Sequence, residues 1–350
     1  ALPIWKIMKI TKILVALAFL FGVSTANAGE LTVTGSMETT YHTSSETTTG
    51  NPLGIDRELK FAGSTELDNG ITVSMFQDTS DNLAFGNSHI EFGNIGGVAT
   101  IYVGSDKDPI DAIDDVTPTA YEEANGSGSG TGYVDVGGLA GETGIGLRFS
   151  LPYLGAVDAR YVPKADGSKA SDNANSNDTG HSVGSGKSIS IKPDLASIPG
   201  VSGTVLEGLS IVAGAEEEDV AGTTNAALTE RTGATVGVNF ASGPFKVGFQ
   251  KKVVNQGEVA TGSDDVEYLD TIIGLAYAVN DSLSVSYNRY ESKKGDDSSV
   301  QNYIQETDAI NVGYTVGGMT IGFQDASTDN ANYTTATKDD TRTLGISVAF

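Results

Sequence analysis

The last ten residues, TRTLGISVAF, alternate between apolar and polar or small side chains. Leu344, Ile346, Val348 and Phe350 occupy every second position. Successive side chains on a β-strand point to opposite faces, so this period of two places all four on one face. The pattern predicts a terminal β-strand with a continuous apolar face and an aromatic residue at its end.

The same alternation recurs from residue 29 onward, in segments separated by polar and Gly-rich stretches. The pair Asn69 and Gly70, between the second and third segments, is a strong hairpin signal. No later stretch approaches 18 consecutive apolar residues, which argues against membrane-spanning helices. The pattern therefore predicts an all-β chain of sixteen strands. The segments are ELTVTGSMETTYH, RELKFAGSTEL, ITVSMFQDT, NSHIEFG, VATIYVG, TGIGLRFSLP, GAVDARYVP, KSISIKP, GLSIVAGAE, RTGATVGVNFAS, PFKVGFQKKV, YLDTIIGLAYAV, SLSVSYNRYES, TDAINVGYTVGG, MTIGFQDAS and TRTLGISVAF.

The connections between these segments alternate between short turns, such as DNG and NIGG, and longer polar stretches. Short turns at one end and long loops at the other are typical of outer-membrane barrels. We therefore expect a sixteen-stranded antiparallel transmembrane β-barrel with short periplasmic turns and long external loops. Residues 193–208 are long where a short turn is due, so the pattern leaves 14 or 18 strands open. The longer stretches are residues 43–56, 164–186, 217–230, 255–266 and 327–340.

Residues 1–28 have the order of a secretory signal peptide. Lys9 and Lys12 precede the apolar run ILVALAFLFGV, and the small residues Ala26 and Ala28 follow it. A membrane-anchor helix is the alternative, but it needs about 20 apolar residues. We expect a mature chain of residues 29–350 that forms one barrel domain, with residues 1–7 upstream of the signal.

Acidic residues outnumber basic ones, 45 against 21, which gives a formal charge of −24. Loss of residues 1–28 removes three lysines and no acid, so the expected mature charge is −27. Nucleic acid is an improbable partner, because phosphate binding needs a basic surface. The chain has no cysteine, so neither disulfides nor thiolate metal sites can form.

In a closed barrel the last strand pairs with the first and leaves no unpaired edge in lipid. At this point the chain resembles the Gram-negative outer-membrane porins, most closely the alphaproteobacterial type. The resemblance rests on the signal peptide, the alternating segments, the contrast of turns and loops, and the terminal Phe350. It implies an outer-membrane channel for small hydrophilic solutes and a homotrimer. It also implies contacts with outer-membrane lipid and lipopolysaccharide, and barrel-assembly machinery that reads Phe350.

A long acidic stretch, SDKDPIDAIDDVTPTAYEEANGSGSGTGYVDVGGLAGE, separates the fifth and sixth segments. It is either a solvated surface loop or the counterpart of the third external loop of porins, which folds into the lumen and narrows it. The resemblance favours the inward fold, although the chain lacks the Pro-Glu-Phe-Gly-Gly run of enteric porins. The acidic candidates for the constriction are Asp106, Asp108, Asp111, Asp114, Asp115, Glu122 and Glu123.

Porins place basic residues of the early strands opposite this loop. Lys60, His89 and Arg148 match that arrangement, because they lie on early strands at the alternate positions that face inward. Arg160, Arg231 and Lys246 occupy inward-facing positions on later strands. Inward acids weaken the match, and the alternative is ordinary hydrophilic lining. These acids are Glu38, Glu58, Glu66 and Glu91.

Catalytic and metal-binding motifs are not apparent. His42, His89 and His181 fall in separate segments, with neither a zinc-binding H-E-x-x-H nor a G-x-S-x-G spacing. We expect no enzyme activity and no cofactor. Ca²⁺ could bind the acidic runs, including AEEED and the pair Asp264 and Asp265, but solvated charge explains them as well. A cation-favouring channel is the preferred function, and a secreted or surface-anchored structural or adhesive β-protein without a pore is the alternative.

Overall fold

The computed structural model describes most of the chain beyond the expected signal peptide. The described residues are 29–45, 50–79, 84–124, 132–164, 184–221, 228–257, 266–296 and 303–350. Three expectations lie outside them: the signal peptide itself, His181, and the pair Asp264 and Asp265.

Sixteen antiparallel strands form a closed barrel in which each strand pairs with its neighbours in sequence. The expected architecture is confirmed. The strands are β1 Leu31–Ser44, β2 Leu53–Glu66, β3 Thr72–Thr79, β4 Phe85–Ile95, β5 Ala99–Gly104, β6 Gly144–Leu151, β7 Gly155–Val162, β8 Gly186–Lys192, β9 Leu209–Ala221, β10 Leu228–Ser242, β11 Phe245–Asn255, β12 Val266–Ala278, β13 Leu283–Asp296, β14 Tyr303–Val316, β15 Met319–Asp329 and β16 Lys338–Ala349.

The seam between β1 and β16 closes the barrel, as the terminal alternation predicts. The register pairs Ser36 with Ala349 and continues to Ser44 opposite Thr341. Gly35 and Phe350 then exchange two backbone hydrogen bonds, of 2.8 and 2.9 Å. The last residue therefore completes the ladder, and Gly35 has no Cβ to collide with the Phe350 ring, whose nearest atom would be 2.6 Å away.

Side chains alternate between an apolar outer face and a polar interior. Ile346 and Val348 are 38% and 41% exposed on the outside, whereas the inward Gln324 and Asn311 are fully buried. Among the described residues, no helix is long and apolar enough to cross a membrane. The polar residues fill the interior because the lumen, and not the outer surface, provides their hydrogen-bond partners.

The long connection between β8 and β9 contains two short 3₁₀ turns, at Leu195–Ser197 and Val205–Gly208. Asp194 and Thr204 precede these turns, and their side chains accept hydrogen bonds from the backbone N–H groups of Ser197 and Leu206. The connection is therefore a compact capped loop without an extra strand, and the strand count stays at sixteen.

The two faces of β6 provide a test of the lipid boundary. We expect Leu147→Lys, on the outward face, to lower the free energy of unfolding by about 2–4 kcal/mol, because a lysine near the bilayer midplane has no water around it. Ser150→Lys places the same charge on the inward face of the same strand and should cost under about 1 kcal/mol. Urea unfolding in lipid vesicles, followed by circular dichroism, measures both. Equal losses would show that the outward face of β6 does not contact lipid.

Candidate functional site

The connection between β5 and β6, residues 105–143 and here called the third loop, folds into the barrel. Its Tyr121 hydroxyl donates a 2.9 Å hydrogen bond to Oε1 of Glu38, an inward residue of β1. On the other side, Ser188 of β8 donates a 2.8 Å hydrogen bond to Oδ1 of Asp108. The loop therefore spans the lumen side of the wall from β8 round to the β1–β16 seam.

Two limbs of the loop follow the wall at different heights. The outgoing limb, residues 106–124, contacts the middle of the strands, as where Asn288 of β13 donates to the Pro118 carbonyl at 3.0 Å. The returning limb, residues 132–143, runs nearer the long-loop end, where the Tyr133 and Tyr290 rings lie 4.1 Å apart. Apart from the ends of the loop, which contact β4 and β7, both limbs pack on β8–β16 and leave the passage between the loop and the early strands.

Arg160 on β7 joins the two ends of the third loop. Its buried guanidinium donates to the carbonyls of Gly104 and Leu139, both at 3.1 Å, and to the carbonyl of Glu142. The alternation along β7 predicts that Arg160 faces inward, but only the fold shows that its guanidinium binds the backbone of the loop.

Lys252 on β11 fixes the middle of the loop to the wall. Its side chain is fully buried, and Nζ lies 3.0 Å from Oδ1 of Asp115 and 2.6 Å from Oδ2 of Asp135. Lys252 is not among the residues that the sequence pattern predicted for the site. The alternation along β11 could have found it, since Lys252 shares the inward parity of Lys246.

Arg231 on β10 supports the returning limb in the same way. It pairs with Glu216 at 3.2 Å and with Glu218, and it donates to the carbonyl of Asp135. Arg231 is thus enclosed by carboxylates between the wall and the loop. Arg160, Arg231 and Lys252 all hold the loop and do not line the open passage.

The predicted acidic residues occupy different environments. Asp108 is only 3% exposed and accepts hydrogen bonds from Ser188 and the Ile110 N–H, so it anchors the loop. Asp111 and Asp115 are exposed, and Asp114 is half-buried. Glu122 and Glu123, also half-buried, adjoin β15, where Gln324 donates to both of their carbonyls.

Burial changes the ionisation of several of these groups. Desolvation, reinforced by the charge of Asp115, raises the pKa of Asp114 to about 8. Desolvation, reinforced by Glu123 and Glu38, raises the pKa of Glu122 to about 7. The same cause raises the pKa values of Asp111 and Glu123. Part of the loop's negative charge therefore appears only as the pH passes through neutrality.

His89 and Asp106, placed on opposite sides of the constriction by the sequence analysis, are direct partners. Nδ1 of His89 lies 2.7 Å from Oδ2 of Asp106, and its ring stacks on Phe76 at 5.4 Å. Burial alone would raise the pKa of Asp106, but the hydrogen bond and charge of His89, with Lys107, lower it. The pair joins the base of the loop to β4.

The other two predicted basic residues are paired with acids of the wall. Arg148 lies 2.7 Å from Asp158 and 3.9 Å from Glu91, and its guanidinium lies 5.6 Å from the centre of the Tyr102 ring. Lys60 lies 2.9 Å from Glu58. The wall opposite the loop therefore carries alternating charges and not a bare positive surface.

The carboxylate oxygens of Asp114, Asp115 and Asp135 lie within 4.8 Å of one another, a spacing that could hold a metal ion. The ammonium group of Lys252, which contacts two of the three, already supplies a positive charge there. In the AEEED run, Glu217 pairs with Lys187 at 2.7 Å, and Asp219 accepts from the Ser185 N–H at 2.7 Å. Protein groups thus compensate Asp115, Asp135, Glu217 and Asp219, and calcium binding stays a prediction.

Comparison with solved structures shows the same fold at low sequence identity. The outer-membrane-expressed OmpT of Vibrio cholerae matches with a TM-score of 0.66 and 11% identity, over 94% of this chain and 100% of that one. OmpT folded in vitro, in its trimer form, gives 0.65 and 11% over 93% and 100%. The anion-selective porin from Comamonas acidovorans gives 0.65 and 13% over 92% and 100%.

A comparison with curated proteins found no match. A family model described as Gram-negative porin, however, matches residues 14–305. This match covers most of the chain, and the closed sixteen-stranded barrel agrees with it. The finer likeness to alphaproteobacterial porins stays a prediction. The chain belongs to the Gram-negative porins, which form channels in the outer membrane.

Proposed function

We propose that this porin is a cation-selective diffusion channel whose passage is narrowed by the third loop. The observation that carries the proposal is the unequal pairing of charges along the passage. Lys60, Lys107 and Arg148 each lie within 4.0 Å of a wall carboxylate. Among the ion pairs of the described residues, none involves Asp111, Asp114 or Glu122 of the loop.

Unpaired acids in a narrow passage attract cations strongly, because low-dielectric walls focus the field. Charges on distant loops contribute little at physiological salt, where the Debye length is about 8 Å. The charges of the loop and of the facing wall therefore matter more than the total charge of −24. The anion-selective porin from Comamonas acidovorans has the same fold, so the fold alone does not decide which ions are preferred.

The alternative of a structural or adhesive protein without a pore lacks support. Family membership and the closed barrel with a polar interior both favour a channel. Small hydrophilic solutes and ions are the proposed cargo. The reading of Phe350 by the assembly machinery and the contacts with lipid and lipopolysaccharide stay predictions.

We further propose a homotrimer, as in the trimer form of OmpT.

Removal of loop charge tests selectivity. We expect Asp111→Asn with Asp114→Asn to lower the cation-over-anion permeability ratio by about twofold or more, because local cation enrichment follows the passage charge. The measurement is the reversal potential of single channels in a KCl gradient, at pH 9 and low salt. Asp68→Asn removes a charge from the exposed β2–β3 turn and serves as the control. Equal reversal potentials for the double variant and the control would contradict the proposal.

The raised pKa values predict a pH-dependent selectivity. At pH 6, Asp114 and Glu122 are mostly protonated and neutral, since their pKa values are about 8 and about 7. At pH 9 both are ionised, so cation preference should rise between these values. Asp114→Asn with Glu122→Gln should remove most of this increase. A wild-type reversal potential that stays constant from pH 6 to pH 9 would disprove the assignment.

Gel electrophoresis tests the assembly. Without heating, the purified protein should migrate as a species about three times the mass of the chain, and boiling should reduce it to a single 36.2 kDa chain or less. Mass measurement in mild detergent provides a second reading. A monomeric mass there would rule out the trimer.

A further inference from the structure

Where the outgoing limb follows the wall, seven of the inward positions beneath it are glycine. A Cβ at Gly274 would lie 2.7 Å from the Pro118 carbonyl oxygen, and one at Gly237 would lie 2.5 Å from the Val116 side chain. Both distances are below the 3.0 Å that real Cβ atoms keep. The loop therefore rests directly on the strand backbones. The glycines are Gly214, Gly237, Gly248, Gly274, Gly313, Gly322 and Gly345.

Several of these glycines face backbone atoms of the loop. At Gly313 the nearest atom is the carbonyl oxygen of Ala120, and at Gly274 it is the carbonyl oxygen of Pro118. Backbone atoms cannot rotate away as a side-chain end can. A methyl group at these positions would thus displace the loop towards the passage.

Neutral polar side chains beside the glycines bind the main chain of the same limb. Gln250 of β11 is 1% exposed, donates to the Ile113 carbonyl at 2.9 Å and accepts from the Val116 N–H at 3.1 Å. Asn239 of β10 donates to the Val116 carbonyl at 2.6 Å.

The series continues on the next strands towards the seam. Ser286 of β13 accepts from the Ala120 N–H at 2.9 Å. Asn311 of β14 accepts from the Glu122 N–H at 3.3 Å, and Gln324 of β15 donates to the Glu123 carbonyl at 2.9 Å. Gln324 also donates to Asn311 at 3.1 Å, so the amides support each other.

Sequence spacing explains how each strand supplies both parts. On β10, β11, β14 and β15 a glycine and an amide residue stand two positions apart, and therefore on one face. The segments are GVN at 237–239, GFQ at 248–250, NVG at 311–313 and GFQ at 322–324. The glycine admits the loop backbone and the amide binds it.

We propose that this glycine–amide track is the specificity-determining surface for solute size. It sets how far the outgoing limb stands from the wall, and thereby the width of the passage. The track contains no ionisable group and binds loop main chain. Substitution of a loop carboxylate can consequently change the ion selectivity and leave the distance between the outgoing limb and the wall as it is.

The variants Gly274→Ala and Gly313→Ala, made separately, test the proposal. We expect single-channel conductance to fall by about 1.5-fold or more, because pore diameter limits permeation. Liposome-swelling rates should fall most for the largest permeating sugars. Gly93→Ala is the matched control, since this inward glycine faces the Thr72 and Thr100 hydroxyls and no loop atom. Its conductance should equal that of the wild type.

Asn288→Ala and Gln324→Ala provide a second route that leaves every glycine in place. Loss of these bonds should release the outgoing limb, changing the mean conductance and increasing open-channel noise. The proposal is overturned if folded glycine variants conduct like Gly93→Ala. If the glycine variants do not fold, unchanged conductance and noise in both amide variants overturns it.

The inference rests on the proposed constriction by the third loop, but its readout is independent of charge selectivity. A wild-type protein without channels would refute the channel function. Altered selectivity in the aspartate variants, with unaltered conductance in the track variants, would refute the track alone.

Discussion

Backbone hydrogen bonding in lipid is the constraint on which the rest of this structure depends. The bilayer offers no partner for an unpaired N–H or C=O group, so the sheet must close on itself. The two bonds between Gly35 and Phe350 complete that closure at the last residue of the chain. Closure directs one face of every strand to lipid and the other into an enclosed polar lumen, which is where the functional groups collect.

The enclosed lumen in turn determines how the third loop is held. Backbone polar groups of a loop packed on a wall need partners there, since packing excludes water from one side. Gln250, Asn311 and Gln324 supply them from the inward face. The two ends and the centre of the loop are held by the cations Arg160 and Lys252, whose burial is tolerated because carbonyls and carboxylates surround them.

Charge pairing separates structural from functional acids among residues that look alike in the sequence. Asp108 and Asp135 are committed to contacts with the wall, whereas Asp111 is exposed. The predicted basic wall is also partly neutralised, because Arg148 and Lys60 have acidic neighbours on adjacent strands or on the same one. Strand alternation could not show these pairings, because it predicts which face of the sheet a charged side chain lies on and not which atom the side chain contacts.

The sequence by itself determined the all-β class, the outward and inward faces and the pairing of the last strand with the first, because a period of two and local turn chemistry are properties of neighbouring residues. It predicted sixteen strands but left 14 or 18 open at residues 193–208, where the structure settled the count. It also placed Lys60, His89 and Arg148 inside. Only the tertiary structure decided that His89 binds Asp106, that Lys252 secures the loop and that seven glycines lie beneath it. These contacts join residues up to 224 positions apart, as for Tyr121 and Gly345, and their distances depend on barrel closure and loop path, which no local pattern encodes.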